Sequence, residues 1–162
     1  MRIEHYSDVD WLRLAFRTAA EHSEDNSTQN GAVVVPQRGY VMSAANRFPD
    51  GVQARYSVPA KYDFIEHAER AAIYSAARAG VATLGGALYC CWFACPDCAR
   101  AIIESGIKRV VGHLTVRDRT PRRWAARIEL GEQILREGDV SMQWLTTRMG
   151  VEIMFNGEML KC

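Results

Sequence analysis

Apolar residues recur at helical spacing in the first segment of the chain. The stretch WLRLAFRTAAE, residues 11–21, carries them about 3.6 residues apart, so that they share one face of a helix. Ser7 lies just ahead of this stretch, and Asp10 comes three residues after it, which is the spacing of a capping box. We therefore predict that a helix opens the fold.

Short apolar runs between turn residues predict the strands. GAVVV and YVMSAA, separated by a turn at 36–39, have the pattern of a hairpin. Between 46 and 66 no period is sustained, and prolines and a glycine interrupt the segment, so we expect a long loop there. Three further strands are predicted at GALYCCWF (86–93), KRVVGHL (108–114) and VSMQWL (140–145).

Helices are predicted between these later strands. The Ala-rich segment HAERAAIYSAARAG ends at Gly80, PDCARAIIESG ends at Gly106, and residues 124–137 are amphipathic, whereas VRDRT (116–120) is interpreted as a connection. The tail GVEIMFNGEML carries Asn156-Gly157, a hairpin-turn signal. This order predicts a three-layer α/β/α domain with a mixed, mostly parallel five-stranded central sheet whose first two strands are antiparallel.

Length and composition favour one domain. The 162 residues suit a single unit, with a core at about 8–145 and a C-terminal extension at 146–162. Five cysteines and the charged start MRIEHYSDVD favour a reducing, cytoplasmic setting, and we expect no membrane association. A net charge of +1 argues against a polymeric nucleic acid as partner, so the run RDRTPRRWAAR is interpreted as a solvated loop and helix face.

The chemistry-bearing residues are His67 and Glu69 in HAE, and Cys95 and Cys98 in CPDC. One imidazole and two thiolates form the ligand set of a catalytic zinc with an open fourth position. Glu69, not needed by the metal, is placed to move protons. The first turns of two predicted helices carry these residues, and helix starts favour thiolates.

Two other interpretations of CPDC are a thioredoxin-like redox pair and half of a structural zinc site. The redox pair does not account for HAE, and a closed structural site needs a fourth ligand. Cys90 and Cys91 lie in an apolar run that predicts a buried strand, and residues 47–65 contain no Cys or His. We therefore predict a single zinc per chain.

These motifs resemble those of the zinc-dependent cytidine and deoxycytidylate deaminase superfamily, in particular its deoxycytidylate branch. The resemblance covers roughly residues 8–145 and includes GAVVV, NRFPDGV (46–52), HAERAAI, CARAIIESGIKRVV and a terminal helix with RWAAR (123–127). It implies zinc binding by His67, Cys95 and Cys98, with Glu69 as the proton shuttle. It further implies that Asn46 binds the sugar, that backbone groups of Ala68 face the base, and that the protein forms a homo-oligomer, either a dimer or a hexamer.

The leading hypothesis is hydrolytic deamination of dCMP, or of a 5-substituted dCMP, to dUMP and ammonia. The alternatives are a tRNA or single-stranded DNA editing deaminase and a non-catalytic zinc- or nucleotide-binding relative. Arg47 stands where the family often has Gly, so it is a candidate for the 5′-phosphate, as is Arg78. Arg55 and Lys61 are further phosphate candidates, and the candidates for base stacking are Phe48, Trp92 and Phe93.

Overall fold

The computed structural model describes residues 6–162, so the first five residues of the charged start lie outside the described residues. The elements are α1 Asp8–His22, β1 Gly31–Val35, β2 Met42–Ala45, α2 Ala60–Phe64, α3 Ala68–Arg78, β3 Ala87–Cys90, α4 Pro96–Glu104, β4 Arg109–His113, α5 Leu114–Asp118, α6 Arg122–Glu137, β5 Ser141–Leu145, β6 Glu152–Phe155 and β7 Glu158–Lys161. None of the helices among residues 6–162 combines the length and the apolar character needed to cross a membrane.

The central sheet has five strands in the order β2-β1-β3-β4-β5. β1 pairs antiparallel with both β2 and β3, while β3, β4 and β5 pair in parallel. All strands except β1 therefore run in one direction. The mixed five-stranded sheet and the antiparallel first pair are confirmed.

The sheet carries helices on both faces, and alternate residues of each strand supply the two cores. Val34 and Leu88 point to the face covered by α3, α4 and α6. Val33 and Tyr89 point to the opposite face, covered by α1 and the β6–β7 hairpin. The three-layer α/β/α architecture predicted from the sequence is confirmed, with the hairpin sharing the layer of α1.

A close approach explains why a glycine begins β1. A Cβ atom on Gly31 would lie 2.1 Å from the backbone oxygen of Ala15 in α1, so a larger residue would push the helix off the sheet. The capping box that begins α1 is also present, with Ser7 and Asp10 each bonding the other's backbone N–H.

Several local predictions need correction. The loop at 46–66 contains the short helix α2, and α5 occupies most of the segment predicted as a connection. Both helices have five residues and no side-chain cap, so neither leaves a periodic or capping signal. The strand predicted at 86–93 ends at Cys90, after which the chain leaves the sheet towards α4, and β2 begins at Met42 rather than residue 40.

The C-terminal segment forms the hairpin that Asn156-Gly157 predicts. Both turn residues have positive φ, 53° and 83°, as a two-residue hairpin turn of type I′ requires. Ile153, Phe155 and Leu160 are buried against α1 and the sheet.

Candidate metal centre and active site

Two helix starts bring the predicted metal ligands together. His67 is the N-cap residue of α3, Cys95 is the N-cap residue of α4, and Cys98 lies in the first turn of α4. The Nδ1 atom of His67 lies 3.5 Å from the Sγ atom of each cysteine. All three ligand atoms lie within 4.8 Å of one another, and no further His, Cys, Asp or Glu of residues 6–162 joins them.

The spacing of these atoms fits a tetrahedral zinc. Zn–N and Zn–S bonds of ordinary length, at a tetrahedral angle, place nitrogen and sulfur about 3.5 Å apart. Two soft sulfurs and an imidazole are also ligands that zinc prefers over magnesium or calcium. The residues present therefore fit zinc with one coordination position left open.

The electrostatics of the cluster supply one thiolate before any metal binds. A hydrogen bond with the Cys98 thiol, and then the contact with His67, lower the pKa of Cys95 to about 3, while the same hydrogen bond and burial raise the pKa of Cys98. Cys95 is therefore a thiolate at neutral pH, which is the form that binds a metal. α6 packs closely behind this residue, because a Cβ atom on Gly131 would lie 2.1 Å from the carbonyl oxygen of Ala94.

Glu69 lies in the first turn of α3 and is only 1% exposed. Burial raises the pKa of this carboxyl above its usual range, which suits a group that accepts and returns protons. Its Oε2 atom accepts a hydrogen bond from Nδ2 of Asn30 at 3.2 Å. The Oδ1 atom of Asn30 accepts the backbone N–H of Trp92 at 3.0 Å, so the orientation of the amide is determined from both ends.

Asn30 is a site residue that the sequence reasoning missed. It stands immediately before the glycine that begins β1, where an asparagine indicates only a turn. Its contact with Glu69 joins residues 39 positions apart, so no local pattern predicts it.

A cavity of about 340 Å³ opens next to the cluster. His67, Cys95 and Glu69 line it, and Trp92 and Phe93 contribute aromatic surface. The other walls come from the segment before β1, from α2 and from α6, through residues that include Asp25, Ser27, Thr28, Lys61, Tyr62, Arg123, Trp124 and Arg127.

Asn46 and Ala68 are brought together beside the cluster. Asn46 borders the cavity and is 6% exposed. Its Oδ1 atom accepts the backbone N–H of Ala68 at 3.0 Å, and its Nδ2 atom donates to the carbonyl of Thr28 at 3.2 Å. The asparagine therefore connects the start of α3 to the wall formed by the segment before β1.

Arg47 and Arg78 are not brought to this cavity. Both pair with Asp50, and they border a separate depression of about 100 Å³. Phe48, a candidate for base stacking, does not line this cavity either. It is buried and packs edge-on against Tyr56. The arginines that line the cavity include Arg123 and Arg127, which RRWAAR places four residues apart on one helix face. This spacing of four residues could have predicted from the sequence that both arginines lie on one face of the helix.

The aromatic residues of the cavity differ from the predicted set in part. Trp92 and Phe93 line it, together with Tyr62 and Trp124, whose rings meet edge-on at 5.3 Å between centroids. Trp124 lies in a run interpreted as a solvated loop and helix face. It is half-buried at the mouth of the cavity.

The comparison with protein families identifies the class of protein. The model described as the cytidine and deoxycytidylate deaminase zinc-binding region matches residues 5–114. This chain belongs to the cytidine and deoxycytidylate deaminase family, and the resemblance noted in its sequence is confirmed. Members of this class are hydrolytic deaminases, and the intact HAE and CPDC motifs agree with that assignment.

Individual relatives agree with the family assignment. An uncharacterized deaminase in the luxG 3′ region of Aliivibrio fischeri is 31% identical over 142 residues, 83% of this chain and 93% of that protein. The deoxycytidylate deaminase of Mus musculus is 32% identical over 111 residues, 62% of this chain and 61% of the mouse enzyme. The chain thus spans about three fifths of the mouse enzyme's length.

The solved structures share the fold. The dCMP deaminase of cyanophage S-TIM5, in its complex with dCMP and dUMP, matches with a TM-score of 0.66 and 22% identity, over 90% of this chain and 99% of the phage chain. Its apo form matches with a TM-score of 0.68. At this identity the likeness shows a common fold.

Proposed function

We propose that this protein is a zinc-dependent hydrolytic deaminase of a cytosine nucleotide, with dCMP as the leading substrate and dUMP and ammonia as products. One observation carries the proposal: His67 and Cys95 of the three-ligand cluster and the buried Glu69 line the same cavity of about 340 Å³. A cavity of this size falls in the range that holds small ligands.

The roles of the residues follow from their positions. His67, Cys95 and Cys98 would hold the zinc ion, which when bound would act as a Lewis acid and lower the pKa of water to about 7. Glu69 accepts a proton from the attacking water and delivers it to N3 of the cytosine as the C4–O bond forms. It then accepts the proton of the new C4 hydroxyl and delivers it to the amine, which departs as ammonia when the C4–N bond breaks. Burial and the hydrogen bond from Asn30 hold its carboxylate in place.

Substrate positioning is assigned to Asn46 and Ala68. In this proposal the Asn46 amide binds the sugar and the Ala68 backbone faces the base. The position of Asn46 in the cavity wall supports its role, while the Ala68 N–H is bonded to Oδ1 of Asn46. Arg47 and Arg78 carry no part of the proposal, because both pair with Asp50 at a separate depression.

The proposal has consequences for the protein as a whole. It treats residues 1–162 as one deaminase domain with one zinc ion per chain, acting on a small nucleotide as a cytoplasmic homo-oligomer, either a dimer or a hexamer. The relatives named deoxycytidylate deaminase and the phage structure with dCMP and dUMP support the choice of substrate.

Ammonia release from zinc-loaded protein tests the proposal. The substrates are dCMP, CMP, 5-methyl-dCMP, deoxycytidine and a short cytosine-containing oligonucleotide, with Glu69→Ala as the inactive control. We expect the highest kcat/KM with dCMP or with its 5-methyl derivative. Fastest turnover of the oligonucleotide would instead favour an editing deaminase, and no ammonia from any cytosine compound would refute the proposal.

A further inference from the structure

The C-terminal hairpin, β6 and β7 with their turn, lies outside the part of the chain that the family model matches, yet it supports a wall of the cavity. The backbone N–H of Gln29 donates to Met154 at 2.8 Å, and the backbone N–H of Met154 donates to the Gln29 side chain at 2.7 Å. The N–H of Gly157 donates to the carbonyl of Ser27 at 2.8 Å. Because Ser27 lines the cavity, the hairpin is hydrogen-bonded directly to this wall.

The turn of the hairpin also holds an arginine of the cavity. Oδ1 of Asn156 accepts a hydrogen bond from the guanidinium of Arg123 at 2.6 Å. Arg123 lies one residue into α6 and is exposed at the mouth of the cavity. One N–H of the guanidinium is used by the amide, and the remaining donors are available to a ligand.

The charge of Arg123 distinguishes it from the other cations of the cavity. The ion pairs formed among residues 6–162 do not include Arg123, whose guanidinium bonds to a neutral amide. Each of the other cations is paired with a carboxylate: Lys61 with Asp25, Arg70 with Glu66, and Arg127 with Asp97. Among the cations that line the cavity, Arg123 is therefore the one that forms no ion pair with a described carboxylate.

The start of α6 adds to this positive field. The helix has 16 residues, no side chain caps its first turn, and that turn contains no acidic residue. The N–H of Trp124 donates to the carbonyl of Pro121 at 2.8 Å, so the earlier N–H groups of this turn, together with the helix dipole, favour an anion near Arg123. A guanidinium with free donors beside a helix start suits a phosphate monoester, which accepts two parallel hydrogen bonds.

We propose that Arg123, oriented by Asn156, forms the subsite for the 5′-phosphate of the substrate, so that the C-terminal hairpin is part of the active site. This inference rests on the proposed deamination of a nucleotide and names the residues that distinguish a nucleotide from a nucleoside. Arg123 is the binding residue, and Asn156 is a positioning residue that acts through it.

The experiment compares dCMP with deoxycytidine in zinc-loaded protein. Arg123→Gln removes the charge, whereas Arg123→Lys keeps the charge without the planar pair of donors. Asn156→Gly removes the amide but suits the positive φ of 53° at this position, so the turn is retained. Arg136→Gln is the matched control, because Arg136 is an exposed arginine in the last turn of the same helix.

We expect Arg123→Gln to raise the KM for dCMP by about 10- to 100-fold, the effect of a lost hydrogen bond to a charged group. The KM for deoxycytidine stays unchanged, as does kcat for both substrates. Arg123→Lys gives an intermediate KM, Asn156→Gly raises the KM for dCMP about 3- to 10-fold by loosening the arginine, and Arg136→Gln matches the wild type.

Binding of the product, measured by calorimetry with dUMP and with deoxyuridine, tests the subsite independently of turnover. Absence of ammonia from every cytosine compound tested would refute the proposed function, while a preference for dUMP that disappears in Arg123→Gln would still support the subsite. Equal losses on nucleotide and nucleoside, or an unchanged KM for dCMP in Arg123→Gln, would overturn the role of Arg123. Wild-type behaviour of Asn156→Gly would overturn the role of the hairpin.

Discussion

Replacing Asn30 by Ala tests whether the amide that contacts Glu69 contributes to turnover. The substitution removes the donor that lies 3.2 Å from Oε2 of Glu69 and also the acceptor that binds the Trp92 N–H at 3.0 Å. Both contacts are shielded from solvent, since Asn30 is 5% exposed and Glu69 is 1% exposed. The variant should therefore lose activity and stability by separate routes.

The size of each loss follows from the two hydrogen bonds that the substitution removes. A hydrogen bond to a charged group contributes about 1.5–3 kcal/mol. Because about 1.4 kcal/mol corresponds to a tenfold change in rate, kcat should fall by about 10- to 150-fold if the donor holds Glu69 in its working orientation. The Trp92 N–H, left without its acceptor, should lower the free energy of unfolding by about 1–3 kcal/mol.

The assay measures kcat and KM for dCMP, zinc content and the denaturant midpoint of Asn30→Ala. We expect a reduced kcat, a KM close to that of the wild type, full zinc occupancy and a lower midpoint. Asn26→Ala, which removes an exposed asparagine from the same segment, is the control. A folded, zinc-loaded Asn30→Ala protein with wild-type kcat would show that Glu69 does not depend on this amide.

Three further predictions concern the metal centre and stability. Glu69→Ala should retain one zinc per chain and lose at least about 100-fold in kcat, whereas Cys95→Ala should lose the zinc. Elemental analysis measures the zinc content and ammonia release measures the activity. Near-normal turnover of Glu69→Ala, or a metal count near two per chain, would contradict the assignment. Lys61→Met should lower the free energy of unfolding by about 3–5 kcal/mol, because it leaves the buried Asp25 carboxylate without its partner; a melting temperature equal to that of the wild type would contradict this. Burial lowers the pKa of His113, so the unfolded chain binds a proton here more readily than the folded one, and stability should fall as the pH drops below about 6.5. Denaturant midpoints at pH 7.5 and 5.5 measure this loss of stability. If His113→Gln loses as much stability between these pH values as the wild type, His113 is not the cause.

The parts of the fold with local signals were predictable. The capping box at Ser7, the Asn156-Gly157 turn and the five strands each left a pattern of residue type and spacing, and the structure contains all of them. α2 and α5 were not predictable, because five residues are too few to display a helical period and neither helix has a capping side chain.

The candidate site likewise has features that local sequence motifs predict and features that depend on packing between elements. HAE and CPDC identify residue types whose chemistry is specific, and each motif is short enough for sequence spacing to place its members in one helical turn. The approach of Gly131 to Ala94, by contrast, joins two helices through a contact that only the packed structure contains. The same packing separates Arg47 and Arg78 from the cavity, although both were reasonable phosphate candidates by charge.

By itself, the sequence determined the family, the layer architecture and the residue types of the candidate zinc ligands, because the order of the elements and the short motifs HAE and CPDC are each visible in local patterns. Tertiary structure alone decided that Asn30 contacts Glu69 and that Arg123 meets Asn156, 33 positions away, at the cavity. Such contacts depend on how strands and helices pack after they form. Spacing along the chain carries information about the face of a single element, and the distance between elements arises only when their apolar surfaces are buried together.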